Sequence, residues 1–172
     1  MNDISFRNGM LAGIVIILLG SILHAIDPRS FLNIYGFVGY AVFLFFMVRS
    51  VLQVRKNEGG ILSFGSAFVA AFIPMTIGVF MSSVFTYAMH NWINPDLIIL
   101  TKEIAIESTT MAMEKMSELF DMDVDIDEVL KELEKVDYSF GLGSLVLSWI
   151  TTTIIGCVPA LIIAAFTKRG EE

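Results

Sequence analysis

Four long stretches of this sequence, about residues 9–26, 31–48, 61–87 and 140–166, hold no Asp, Glu, Lys or Arg. Each is close to or above the roughly 20 apolar residues that a bilayer-spanning helix needs. Charge is scarce overall, at 17% of 172 residues, where soluble domains carry about a quarter. Hydrophobic residues make up 55% and the mean hydropathy is +0.73. The expected fold class is therefore all-α: one membrane domain over residues 1–172, built as a four-helix bundle. The missing charges also speak against a proton- or sodium-driven pump, because buried ionisable groups mark ion pathways.

Other absences narrow the chemistry. There is one cysteine, Cys157. It cannot form a disulfide within the chain, and cysteine-based metal ligation lacks ligands. We read it as a small packing residue. There is no phosphate-binding glycine loop, no Cys–His cluster, and no nucleophile beside an evident base. We expect no catalytic residue, no cofactor and no enzyme. Signal-peptide cleavage needs a small-x-small pattern, which Leu23-His24-Ala25 is not. The first run is expected to stay as a span.

What is present begins with the last run. Ser144, Ser148, Thr152, Gly156, Ala160 and Ala164 recur every four positions in it. Residues at that spacing share one helix face. In lipid, helices associate where small side chains let backbones approach. Pro74, Gly78, Ser82, Thr86 and His90 repeat the interval in the third run, so the two faces are expected to meet. Pro74 should also free a carbonyl and kink its helix. Gly9 and Gly13 form a small-xxx-small pair in the first run. The second run is aromatic, and Tyr35 is expected near the headgroups. Asp27-Pro28-Arg29-Ser30 reads as a tight turn, which returns the second span antiparallel to the first. Gly59-Gly60 breaks the helix after Arg55 and Lys56.

The third and fourth runs are separated by an acidic insert, about residues 95–138. Between Asp96 and Asp137 stand 13 acids and four lysines. Asn94-Pro95-Asp96 carries helix-start signals. From Leu97 to about Phe120, the acids Glu103, Glu107, Glu114, Glu118 and Asp121 project onto one narrow stripe, and most of the rest is apolar. A second helix should start near Asp125 and point into the last span. Together they make an acidic helical hairpin outside the membrane.

Cations near span ends set orientation. Arg7, Arg49, Arg55, Lys56, Lys168 and Arg169 fall on the side of the termini, against Arg29 in the opposite short loop. This places both termini in the cytoplasm and the insert outside. The insert's acidic surface would repel phosphate, so nucleic acid is not an expected partner.

Two groups of residues are metal candidates. Asp121, Asp123, Asp125, Asp127 and Glu132 fall at calcium-loop positions, but Ile126 stands where the loop's sharp turn wants glycine. A solvated acidic turn that caps a helix is the preferred reading. His24 and His90, with Asp27 and Asp96, could form a metal or proton site near the outer face. Side chains reaching water at span ends are the preferred reading there.

The order and spacing of these features resembles a family of small bacterial four-span membrane proteins known as domain of unknown function 4199. Residues 60–68 (GILSFGSAF), 92–96 (WINPD), 113–116 (MEKM) and 164–168 (AAFTK) carry the likeness, which covers essentially the whole chain. The resemblance implies an integral membrane protein with an inserted helical segment. It implies no activity. The function expected is that of a non-enzymatic scaffold or interaction protein in a bacterial inner membrane. Its expected partners are the lipid bilayer, and another membrane protein or a second copy of itself. The alternatives are an oligomeric channel or transporter using the Ser/Thr face of the last span, and an external sensor of cation or envelope state.

Overall fold

Inside a bilayer no water reaches the backbone, so a crossing segment must satisfy its N–H and C=O groups internally. The uncharged runs accordingly become helices. The computed structural model describes residues 2–120 and 126–167, and among them every regular element is helical. The elements are α1 (Asn2–Ile26), α2 (Pro28–Asn57), α3 (Phe64–Ala88), a π-helical turn (Met89–Ile93), α4 (Leu97–Phe120), α5 (Ile126–Lys135) and α6 (Leu142–Thr167). Among the described residues, four helices are long and apolar enough to cross a membrane: Asp3–Ile26, Pro28–Asn57, Phe64–Ile93 and Leu142–Thr167. The chain divides into two compact units, Met1–Tyr87 with Leu142–Glu172, and Ala88–Gly141.

The helix ends follow local chemistry. Asp27 alone separates α1 from α2 and caps α2: its carboxylate accepts from the N–H of Arg29 at 3.1 Å and of Ser30 at 2.8 Å. Pro28 follows in the first turn, where its missing N–H costs nothing. Beyond the expected end near residue 48, α2 continues to Asn57. Arg and Lys are good helix formers, and cations suit a helix C-terminus. Gly59 and Gly60 end it with φ of 74° and 95°, the left-handed region that glycine enters freely. The N–H of Gly60 reaches back to the Arg55 carbonyl at 2.9 Å. Ser63 caps α3, accepting from the N–H of Ser66 at 3.2 Å.

In the first unit α3 is the hub. Its residues Ala67, Ala70, Ala71, Met75 and Val79 are buried with Ala12 and Ile16 of α1, Phe43, Phe46, Met47, Val51 and Val54 of α2, and Ala160 and Ala164 of α6. Glycines set the α1–α3 approach. A Cβ on Gly9 would stand 2.8 Å from Ile77 Cβ and 3.1 Å from Pro74 Cα. A Cβ on Gly13 would stand 2.8 Å from Met81 Cβ. The Gly9–Gly13 pair thus marks a specific contact.

The small faces of the third and last spans do not meet as expected. Gly78 turns to α2 and α1: a Cβ there would stand 2.8 Å from the Phe43 ring and 3.3 Å from Ala12 Cβ. The Tyr35 hydroxyl of α2 is bonded to Ser82 at 2.9 Å and also reaches Thr86. On the α6 side, Gly156 instead receives the Met75 side chain. Trp149 donates from Nε1 to the Thr76 carbonyl at 3.1 Å and meets Phe80 edge-on. Aromatic bulk explains the change. Large rings on α2 need shallow partners, and the α3 stripe supplies them. Tyr35 turns into the bundle, held by its hydroxyl partners and by Phe31 and Phe85.

In the second unit α4 starts at Leu97, after a turn at Pro95-Asp96, and not directly at Asn94. α5 does not run into the last span. It ends at Lys135, and residues 136–141 are non-helical. Asp137 holds that connector by accepting from the N–H and hydroxyl of Ser139, each at 2.9 Å. The connector is anchored to the π-helical turn: Asn91 donates to the Phe140 carbonyl at 2.8 Å, and His90 packs against the Phe140 ring. α4 and α5 touch where Lys102 Nζ reaches the Glu134 carbonyl at 3.4 Å.

Candidate functional site

A group of buried polar side chains lies at one end of the first unit, and the reason starts with Pro74. A proline inside a helix has no N–H for the carbonyl four residues before it, here that of Ala70. In a dry interior that carbonyl needs another donor. Ser5 of α1 turns its hydroxyl toward it at 3.5 Å, a long and therefore weak bond. Ser50 of α2 in turn donates to Ser5 at 3.1 Å. Both serines are fully buried. Three helices are thus joined by hydroxyls around one proline.

A second polar contact lies on the same end of α1 and α2. Asn8, 1% exposed, donates from Nδ2 to the Ile4 carbonyl and to Gln53 Oε1, both at 2.8 Å. A carbonyl can only accept, so the nitrogen of Asn8 must face it. Gln53 therefore presents its oxygen to Asn8 and keeps its NH₂ for another acceptor. The Asn8 Oδ1 atom is buried with no partner.

Outside this pair is a polar cleft of about 470 Å³ lined by Asp3, Ile4, Arg7, Gln53, Lys56 and Asn57. Beside it an apolar groove of about 680 Å³ runs along α2 past Phe45, Val48 and Leu52 to Arg49, Gln53 and Lys56. The Arg49 guanidinium stands 5.5 Å from the centre of the Phe46 ring. The cleft and the groove share Gln53 and Lys56. In the sequence these cations stand out only as orientation signals. Ser5, Asn8 and Ser50 carry no mark there, and the one signal for them is the carbonyl that Pro74 leaves unbonded.

The metal candidates fare differently. Asp121, Asp123 and Asp125 lie outside the described residues, and so does the side chain of Asp127. Glu132 is exposed on α5. His24, in the first unit, meets Phe31 edge-on with ring centres 5.8 Å apart, and its Nδ1 is buried without a partner. His90, in the second unit, is 5% exposed. Neither is a side chain reaching freely into water. Among the described residues no three His, Cys, Asp or Glu side chains come together to hold a metal. Cys157 is half-buried, its Sγ near the Thr153 carbonyl at 3.7 Å. Of the α6 stripe, Ser144, Ser148 and Thr152 are half-buried, while Gly156, Ala160 and Ala164 are buried.

Residues 7–169 match a family model described as "Protein of unknown function (DUF4199)". No curated protein and no solved structure matches the chain.

Proposed function

The chain belongs to the DUF4199 family, whose function is unknown, and from that premise and its four membrane-crossing helices we propose that it is a non-enzymatic membrane scaffold. The working part is the α4–α5 segment, an acidic helical hairpin that contacts a partner. One observation carries this reading. Near the end of α4, Met116 and Leu119 stand one turn apart and exposed, beside the exposed Glu114 and Glu118. Large apolar side chains placed together on an exposed helix face call for a cover. The cover is another membrane protein or a second copy of this chain.

The cations support an orientation within this proposal. Arg7, Arg49, Arg55 and Lys56 flank one end of α1 and α2, and Arg29 is at the other. Lys and Arg concentrate on the cytoplasmic side. The termini are then cytoplasmic and the acidic hairpin external, in a bacterial inner membrane. A conducting path along the Ser/Thr face of α6 is less well supported, because Gly156 is filled by Met75 and Trp149 is tied to Thr76.

The test is purification in mild detergent with the companion identified by mass spectrometry. The wild-type chain should carry one companion, or a second copy, in fixed proportion. The double variant Met116→Glu, Leu119→Glu should lose it while the chain remains folded. A wild-type chain that runs alone as a monomer would remove the scaffold reading. Orientation is read separately. A cysteine at Glu118 in a Cys157→Ser chain should react with an impermeant maleimide on intact cells, and reaction only after lysis would reverse the assignment.

A further inference from the structure

We propose that the shared end of α1 and α2 binds one anionic phospholipid. Its phosphate sits where the polar cleft meets the apolar groove, among Arg7, Arg49 and Lys56, and one acyl chain lies along α2. This site is separate from the α4–α5 face on which the scaffold reading rests.

Length supports the placement. α2 has 30 residues, which at 1.5 Å per residue extend about 45 Å. The hydrocarbon core is about 30 Å thick. About ten residues of α2 therefore stand in a headgroup layer. The piece from Arg49 to Asn57 is the polar end, where three consecutive turns carry Arg49, Gln53 and Lys56 on one face. The groove side chains Phe45, Val48 and Leu52 continue that face toward the bilayer centre, and all three are exposed. A ligand lying here meets hydrocarbon at one end and cations at the other, which is the chemistry of a charged lipid.

Charge fits as well. Arg7, Arg49 and Lys56 face the cleft and groove, and among the described residues Asp3 is the one acid lining them. A phosphodiester anion offsets the excess of cations. Gln53 adds a neutral donor, because its oxygen is already engaged by Asn8. Arg49 over Phe46 is held in place before the lipid arrives. Basic pockets beside spanning helices are suited to acidic headgroups. A zwitterionic lipid brings its own cation, which this cluster would repel.

The experiment uses the full chain in a neutral detergent. Native mass spectrometry is run with an equimolar mixture of phosphatidylglycerol and phosphatidylcholine of the same acyl chains. One phosphatidylglycerol should be retained per chain, with a preference of about tenfold. The double variant R7Q/K56Q should lose the preference. R49Q alone should weaken it, and keeps the test open if the double variant fails to fold. Leu52→Trp, which fills the groove and leaves the charges in place, should also release the lipid. Arg29→Gln, at the far end of α2, should change nothing. Millimolar inorganic phosphate should not displace the lipid. Equal retention of the two lipids overturns the proposal, as does an unchanged preference in R7Q/K56Q and R49Q, or full displacement by inorganic phosphate.

Discussion

α3 and α6 are almost equally apolar and unequally placed. The spans that contain them have hydropathies of 2.0 and 2.1, yet 44% of the most apolar stretch of the first is buried and only 17% of the second. Hydropathy reports the solvent that a helix tolerates and says nothing of its neighbours. What separates the two is the company that their small residues keep. α3 meets α1 through Gly9 and Gly13, and α2 through Gly78. Its contact with α6 at Gly156 is with a flexible methionine, beside Trp149, which bonds Thr76 and meets Phe80. At Gly9 the α1–α3 contact is rigid, because Ile77 Cβ and the Pro74 backbone stand directly over the glycine. The α3–α6 contact can yield.

That difference ranks the consequences of adding bulk. Gly9→Leu should be the most damaging change, because its Cβ meets Ile77 Cβ at 2.8 Å and the Pro74 backbone at 3.1 Å. Neither can rotate away. The expected loss is at the top of the overpacking range, about 3 kcal/mol, read as a fall in thermal stability in detergent. Gly78→Leu should come next, since the Phe43 ring at 2.8 Å can tilt but not leave. If Gly9→Leu matched wild type, α1 and α3 would not be in the close contact described; if Gly78→Leu did, the same would hold for α2 and α3.

Gly156→Leu tests the looser side. The obstacle is the Met75 side chain, and Met has three rotatable bonds. The cost should be smaller, about 1 kcal/mol. A loss larger than that of Gly9→Leu would reverse the comparison and make α6, not α1, the tighter partner of α3.

The four spans were legible because a bilayer makes one strict demand, an unbroken apolar run, and a run can be counted. Helix ends were less so. α2 passes through Arg49, Arg55 and Lys56 without pause, because a charge in the headgroup layer does not stop a helix. The pairing of faces was legible only in part. The four-residue stripe in α3 marks a real contact surface. Nothing in one sequence said that Phe43 and Tyr35 would claim it before α6 could. The polar end was hidden for a different reason. Ser5, Asn8 and Ser50 are unremarkable in order along the chain, and only the carbonyl that Pro74 releases connects them. The basic cleft takes residues from two helices whose cations had looked like topology signals alone.

Ser5 offers a finer test of why the α1–α3 contact is stable. Its bond to the Ala70 carbonyl is long, so Ser5→Ala should cost only about 0.6 kcal/mol, the usual size for a polar contact between spanning helices. In a Pro74→Ala background residue 74 regains an N–H for Ala70, and the cost of Ser5→Ala should then shrink toward zero. A double-mutant cycle measures the coupling. Equal costs in both backgrounds would mean that the serine answers some need other than the proline's.

The smallest expected effect concerns the link that makes α1 and α2 a hairpin. Asp27 is held below its ordinary value of 3.8 chiefly by the Ser30 hydroxyl, then by the N–H groups of Ser30 and Arg29. A carboxylate whose folded value is depressed adds stability above its unfolded value and loses it as the pH falls through the folded one. The cap should therefore be fully effective at neutral pH and fade only below the ordinary carboxylate range. Asp137 is also held below 3.8, first by the Ser139 N–H and then by its hydroxyl, but it fastens the connector before α6 and no helix start. Thermal melts of Asp27→Ala and Asp137→Ala across the acid range separate the two roles. The first should lower the melting point at neutral pH and flatten its acid dependence, because the group that titrates is gone. The second should leave the neutral melting point close to wild type. If Asp137→Ala proved the more costly, the connector into α6 would be holding the bundle together more firmly than the α1–α2 turn, and α6 would have to be counted among its tight elements.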